Sequence, residues 1–268
     1  MRFPALLAAA AIILPVGATA IAQHAGHQTV VSKPLASAIA APSRTPKNVA
    51  RDQYRHPAET LSFFGVTPTQ TVVEYAPSGG WYTEILAPLL RAKGTFYALQ
   101  PTGRYLDGYK GFLAANPAVY DKVKVVPFPE ETAQIPAGSV DTVLTFRNVH
   151  NMVMAGNEAA TFKAFFDVLK PGGTLGVVDH RLPEDRDTAL EKSSGYLKVS
   201  TIRRIAQAAG FEYVGASEIN ANAKDTADWP KGVWTLPPTL SLKDVDKDKY
   251  LAIGESDRMT LKFRKPAK

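Results

Sequence analysis

The chain contains no cysteine. That excludes a disulfide framework, a thiolate metal site and a lipid-modified cysteine, and it is compatible with an oxidising compartment. Beyond residue 22 no run is long and apolar enough to cross a bilayer, so no stable membrane span is expected in the mature chain. Dense basic stretches are missing too. The 31 lysines and arginines are interspersed among 25 acids, leaving a formal charge of +6 without the clustered stripe that tracks a nucleic-acid backbone. Nucleic acid is therefore not an expected partner. The charge reads as solubility, together with a preference for small anionic substrates.

What is present begins with a leader. Met1-Arg2 supplies a positive charge, Ala5 to Val16 is an apolar run, and Ala20-Ile21-Ala22 precedes Gln23 as a small-x-small cleavage site. Pro15 and Gly17 interrupt the run and argue against a membrane anchor. A cleavable signal peptide over residues 1–22 is expected, with a periplasmic or secreted mature chain. Residues 23–47 carry Pro34, Pro42 and Pro46 without sustained periodicity and read as a flexible linker. Its His24-Ala25-Gly26-His27 lacks the acids or cysteines that would complete a metal site, and no metal is expected anywhere.

From residue 48 to 268 the sequence organises as one domain in which apolar strands alternate with amphipathic helices. Strands are expected at Thr71–Tyr75, Gly94–Leu99, Val123–Pro127, Val140–Phe146, Thr174–Val178, Phe211–Ile219 and Arg258–Phe263. Helices are expected at Pro57–Phe64, Trp81–Leu90, around Gly111–Ala115, at Glu158–Leu169 and at Ser200–Ala209. Phe162, Phe165, Phe166 and Leu169 fall on one helical face, and Lys170-Pro171-Gly172-Gly173 ends that helix. This alternation implies an α/β fold with a mostly parallel sheet covered on both faces.

In such a sheet the ligand lies beyond the carboxyl ends of the strands, and the first strand-to-helix turn cradles it. That turn is Glu74-Tyr75-Ala76-Pro77-Ser78-Gly79-Gly80. It has the shape of an E-x-G-x-G-x-G loop in which Ala76 and Ser78 replace two glycines. Such a replacement costs up to about 1 kcal/mol where the backbone is left-handed and little elsewhere. Glu74, Ala76, Pro77, Ser78, Gly79 and Gly80 are the expected cofactor-binding residues; a plain Pro-Ser-Gly-Gly surface turn is the alternative.

Further chemistry sits at later strand ends. Arg147, Asn148, His150 and Asn151 follow the fourth strand, and Asp179, His180 and Arg181 follow the fifth. His150 and His180 are the catalytic candidates, since imidazole accepts a proton near neutral pH. Arg147, Asn148, Asn151, Arg181 and Tyr82 are the substrate-binding candidates, the arginines as bidentate anion holders. Arg51, Tyr54, Arg55 and His56 precede the first helix of the domain and could close over the cofactor's carboxylate; a solvated basic turn is the alternative. Between the last two strands, the segment containing Asp228-Trp229-Pro230 and Val233-Trp234 is far longer than a hairpin needs and reads as a lid or a substrate wall.

Several of these stretches together resemble class I S-adenosylmethionine-dependent methyltransferases, and within them an exported bacterial group. They are Glu74 to Glu84, Phe146-Arg147-Asn148-Val149-His150-Asn151, Leu169 to Gly173, Val178-Asp179-His180-Arg181, Asp228 to Trp234 and Gly254 to Met259. The resemblance implies a Rossmann-like seven-stranded sheet with an antiparallel last strand and S-adenosylmethionine over the first two strands. It also marks a departure, because the second strand of most such enzymes ends in an acid that receives the ribose hydroxyls, and here Gln100 stands in that place. The expected function is methyl transfer to a small or envelope-associated acceptor. The alternative is an exported ligand-binding protein on the same fold.

Overall fold

The computed structural model of the protein describes residues 31–267. The expected signal peptide and the His24/His27 pair lie outside the described residues. The strands are β1 (Thr71–Tyr75), β2 (Thr95–Pro101), β3 (Lys124–Phe128), β4 (Val140–Phe146), β5 (Leu169–His180), β6 (Glu212–Ser217), a short β7 (Pro230–Val233) and β8 (Arg258–Arg264). All except β7 form one seven-stranded sheet in the order β3-β2-β1-β4-β5-β8-β6. Neighbours from β3 through β5 are parallel, whereas β8 runs antiparallel to both β5 and β6. Strand order reverses at β1, whose two neighbours are β2 and β4. That reversal opens a crevice at the carboxyl ends of β1 and β4.

Successive residues of a strand point to opposite faces, and β1 shows why both faces are covered. Val72 and Val73 are each fully buried, in different apolar layers. Val73 shares its layer with Leu99, Leu175 and the aromatic stripe Phe162 and Phe165 of α9 (Glu158–Val168). Val72 shares the other with Leu61 and Phe64 of α4 (Pro57–Phe64) and with Ile85 and Leu86 of α5 (Thr83–Leu90). Each such side chain contributes roughly 1.5–3 kcal/mol when fully buried. Gly65, at φ 77°, ends α4 in the left-handed conformation that glycine adopts without strain.

The segment expected to be a flexible linker is folded from Lys33 onward. Here α1 (Lys33–Ile39) is capped by Ser32 and buries Leu35 and Ala38 in the layer of α5. Next, α2 (Pro46–Val49) and α3 (Asp52–Arg55) lead into α4. The Thr45 backbone N–H and hydroxyl donate to the Glu84 carboxylate at 3.1 and 2.7 Å, and the Trp81 indole N–H donates to the Asn48 carbonyl at 2.9 Å. These contacts pin the lead-in across the first turn of the sheet. Small residues such as Ala36, Ser37 and Ala38 give α1 no apolar periodicity, so its order comes from the surface it covers.

Other boundaries move for local reasons. Trp81 and Tyr82 precede α5 and do not open it. Leu169 leaves α9 directly into pairing with Val140, and the chain then bulges through Pro171–Gly173 before Thr174 resumes the ladder opposite Thr142. The remaining helices are α6 (Arg104–Ala114), α7 (Pro117–Tyr120), α8 (Val149–Ala155), α10 (Val199–Ala208) and α11 (Lys247–Ile253). Among the described residues no helix is long and apolar enough to cross a membrane.

Candidate functional site

The carboxyl ends of β1, β4 and β5 open into a cleft of about 700 Å³. A smaller cavity of about 390 Å³ adjoins it towards β2 and shares Ala76, Ser78, Tyr105, Asn148 and Asn151 with it. Together they form one trough over the first turn.

That turn is strained where glycines were expected. Ala76 and Ser78 both stand at φ 50°, and Gly80 at φ 73°. The left-handed backbone that the E-x-G-x-G-x-G pattern normally assigns to glycine is thus kept with larger residues, at about 1 kcal/mol each. Two side chains hold the turn. Gln100 Oε1 accepts the Ser78 N–H at 3.1 Å, and the Asn148 amide donates to the carbonyls of Tyr75, Ala76 and Phe146. Ala76, Pro77, Ser78 and Gly79 line the cleft, whereas Gly80 does not. A Cβ on Gly80 would meet the Phe112 ring at 2.4 Å; this glycine lets α6 approach the turn.

Glu74 ends inside the cleft as a buried carboxyl. Its only hydrogen bond among the described residues comes from the Thr83 hydroxyl at 3.3 Å, which itself meets the Tyr109 hydroxyl at 2.9 Å. Burial pushes the Glu74 carboxyl up to about 8, against the pull of Thr83 and Arg55. At neutral pH the carboxyl is therefore held mainly in its protonated form.

Opposite the turn, the ends of β4 and β5 bring the two histidines together with ring centroids 5.1 Å apart. Asp179, fully buried, organises them. One oxygen accepts His150 Nδ1–H and the His180 N–H, each at 2.8 Å. The other accepts the Val149 and His150 backbone N–H groups at the start of α8, at 2.7 and 3.2 Å. With Nδ1 facing Asp179, the nitrogen left over on the His150 ring is Nε2. His180 Nδ1 lies 2.5 Å from the Ser256 hydroxyl. Burial, then His150, Arg147, Arg258 and Arg55, depress His180 well below the usual imidazole value, so its ring is neutral at neutral pH. Donor atoms of His150, Asp179 and His180 lie within 4.8 Å of one another. Both Asp179 oxygens accept N–H donors, so the carboxylate ties the His150 ring and the backbone of both histidines into one hydrogen-bonded group.

The other expected residues divide. Arg147, Asn151 and Tyr82 line the cleft with both histidines, and Tyr82 stacks on Phe146 with centroids 3.6 Å apart. Asn148 lines it too, but its amide braces the turn. Arg181 is not brought to the site. It follows His180, so its side chain leaves on the other side of the strand and pairs with Asp257 and Glu218 at 2.8 Å. Gln100 lies in the adjoining cavity with its oxygen committed to Ser78, which leaves its NH₂ for a ligand. Arg51 and Arg55 reach the cleft, while Tyr54 and His56 do not line it. The long insertion supplies a wall through Val233, Trp234, Pro237 and Pro238. The sequence reading placed Asp179 at the strand end without a role; no spacing rule links residues 29 positions apart.

The strand order, the reversed last strand and the crevice over the first turn define a Rossmann-like fold of the class I methyltransferase type. No protein-family model and no curated protein matches the sequence. Among solved structures the chain is similar to an S-adenosylmethionine-dependent methyltransferase from Aquifex aeolicus, at 17% identity and TM-score 0.57, over 87% of this chain and 98% of that one. It is similar to the [4+2]-cyclase SpnF, at 14% identity and TM-score 0.56, over 88% and 92%. A third is CrArsM, an arsenic(III) S-adenosylmethionine methyltransferase from Chlamydomonas reinhardtii, at 14% identity and TM-score 0.51, over 88% and 74%. At these identities the likeness is one of fold, and function has to be argued from the site.

Proposed function

We propose that the protein is an S-adenosylmethionine-dependent methyltransferase acting on a small acceptor, and that it works in the bacterial envelope after removal of residues 1–22. The observation that carries this reading is the opposition, across one cleft, of a buried carboxyl without a cationic partner and an aspartate-oriented histidine. A carboxyl kept neutral by burial is poised for a cationic ligand, and the cofactor has an ammonium and a sulfonium. Glu74 would face that positive end, the backbone of residues 76–79 would cradle the chain between it and the nucleoside, and the Gln100 NH₂ would donate to hydroxyls. The structural similarity to methyltransferases supports the same assignment.

Bound there, S-adenosylmethionine supplies an electrophilic methyl group. The residues of the chain then have separate tasks. Asp179 fixes the His150 ring, and Nε2 would accept the proton of an acceptor O–H or N–H as that atom takes the methyl group and the broken S–CH3 bond leaves S-adenosylhomocysteine behind. His180, kept neutral, adds a second polar edge without placing a positive charge beside the arriving methyl group. Trp234 and the Pro237-Pro238 wall exclude water from that face.

Calorimetric titration of the protein with S-adenosylmethionine and with S-adenosylhomocysteine tests the assignment. One saturable site for each, weakened at least tenfold by a Glu74→Ala variant that still folds, is the expected result. No heat with either ligand removes the proposal.

A further inference from the structure

The cleft holds more guanidinium than its own carboxylates satisfy. Glu255 serves three arginines at once: Arg51 Nε at 2.6 Å, Arg55 Nε at 3.3 Å and Arg258 Nη1 at 3.2 Å. Burial works to raise Glu255, but these charges hold it down at about 2, so at neutral pH it is ionised and already shared. Arg55 is 4% exposed, lies 4.7 Å from the centroid of the Trp81 ring, and has a buried Nη2 without a hydrogen-bond partner among the described residues. Arg147 goes further. It stands in left-handed backbone at φ 61°, lines the cleft beside His150, and its guanidinium makes no ion pair or hydrogen bond among the described residues.

A buried guanidinium nitrogen without a partner, as on Arg55, is costly unless a ligand completes it, and the partly exposed Arg147 offers its free donors to the same ligand. The proposed cofactor brings one carboxylate against an ammonium and a sulfonium, so on balance it adds positive charge to the cleft and does not remove it. The remaining deficit belongs to the second ligand. We infer that the cleft holds a carboxylate or phosphate group of the methyl acceptor between Arg55 and Arg147, next to the His150–His180 pair. The place given to the acceptor rests on the methyltransferase reading; the anion site itself does not. A planar fork of N–H donors suits either group. Held there, the acceptor presents a neighbouring hydroxyl or amine to His150, so the anion anchors and a different atom is methylated. The excess of positive charge also argues against a metal cation on the two histidines.

The experiment saturates the full chain with S-adenosylhomocysteine and titrates it with succinate and with inorganic phosphate, using chloride at equal ionic strength as the control. The expected result is one site for at least one of the two probes. Succinate alone assigns a carboxylate acceptor and phosphate alone a phosphorylated one. Arg147→Gln, which removes charge without changing the backbone preference, lowers that affinity at least tenfold and leaves S-adenosylhomocysteine affinity within about twofold; Arg147→Lys retains part of it. The inference is overturned if neither probe binds beyond chloride or if Arg147→Gln binds as well as wild type. It is equally overturned if the probe displaces S-adenosylhomocysteine, because the arginines then serve the cofactor's own carboxylate. Should S-adenosylhomocysteine not bind while a probe binds in an Arg147-dependent way, the anion site stands and the methyltransferase reading falls.

Discussion

Binding of S-adenosylmethionine should expel a proton from Glu74. Burial places the folded pKa of this carboxyl at about 8, so at pH 6.5 it is almost wholly protonated. A ligand ammonium, with an ordinary pKa of about 7.7–8.0, is fully charged at that pH and contributes no proton of its own. Ionising Glu74 at pH 6.5 costs about 2 kcal/mol, at about 1.4 kcal/mol per pH unit, which corresponds to roughly 30-fold in affinity. Affinity should therefore rise close to tenfold per unit between pH 6 and 7.5. Calorimetry at pH 6.5 in two buffers of different ionisation enthalpy should return close to one proton released per site. Glu74→Gln should release none and show a flat profile. Tight binding by wild type with no proton release would mean that Glu74 stays neutral and faces no cation, and the argument for its role would fail. Without ligand the sign reverses for stability. A carboxyl whose folded pKa is raised contributes stability that is fully present below about 4.5 and lost as pH rises through about 8. Above pH 8, Glu74→Gln should therefore unfold later than wild type, by up to about 5 kcal/mol.

Gly80→Ala should cost about 2–4 kcal/mol in urea unfolding, because it combines a left-handed backbone with a Cβ 2.4 Å from the Phe112 ring; a neutral result would contradict the packing of α6 on the turn. Gln100→Ala should weaken cofactor binding about three- to tenfold, the worth of the lost bond to Ser78. Gln100→Glu should match or exceed wild-type affinity, measured as a calorimetric Kd. Turnover should not decline from charging of His180 as pH falls from 8 to 6.5, since its pKa is held well below the usual value. A loss over that range that His180→Gln abolishes would refute the placement of its titration.

The parallel core was legible because its strands are short apolar runs bounded by turn residues. Thr71–Tyr75 and Val140–Phe146 were read with the bounds that β1 and β4 have. By contrast, α1 and α2 have no strong periodicity and are ordered by what they cover, namely α5 and Trp81. At the site, chain position brings His150 and His180 to the cleft, since both follow strands that end there. The same rule misplaced Arg181, where one step along the alternation turns the side chain away from His180 and towards Asp257. It was silent on Asp179 as the partner of His150, and on Gln100 as a brace for Ser78. Both are contacts between elements, and a linear pattern has no term for them.

In the proposed function a methyl group moves in this cleft with His150 as proton acceptor. The direct measurement is a single-turnover assay with labelled S-adenosylmethionine and envelope small molecules as acceptors, run with wild type and with His150→Gln. The account predicts transfer of label by wild type and a loss of about a hundredfold or more in His150→Gln, with cofactor affinity kept. Donor binding without movement of label under any condition would contradict it and leave a ligand-binding protein on a methyltransferase fold.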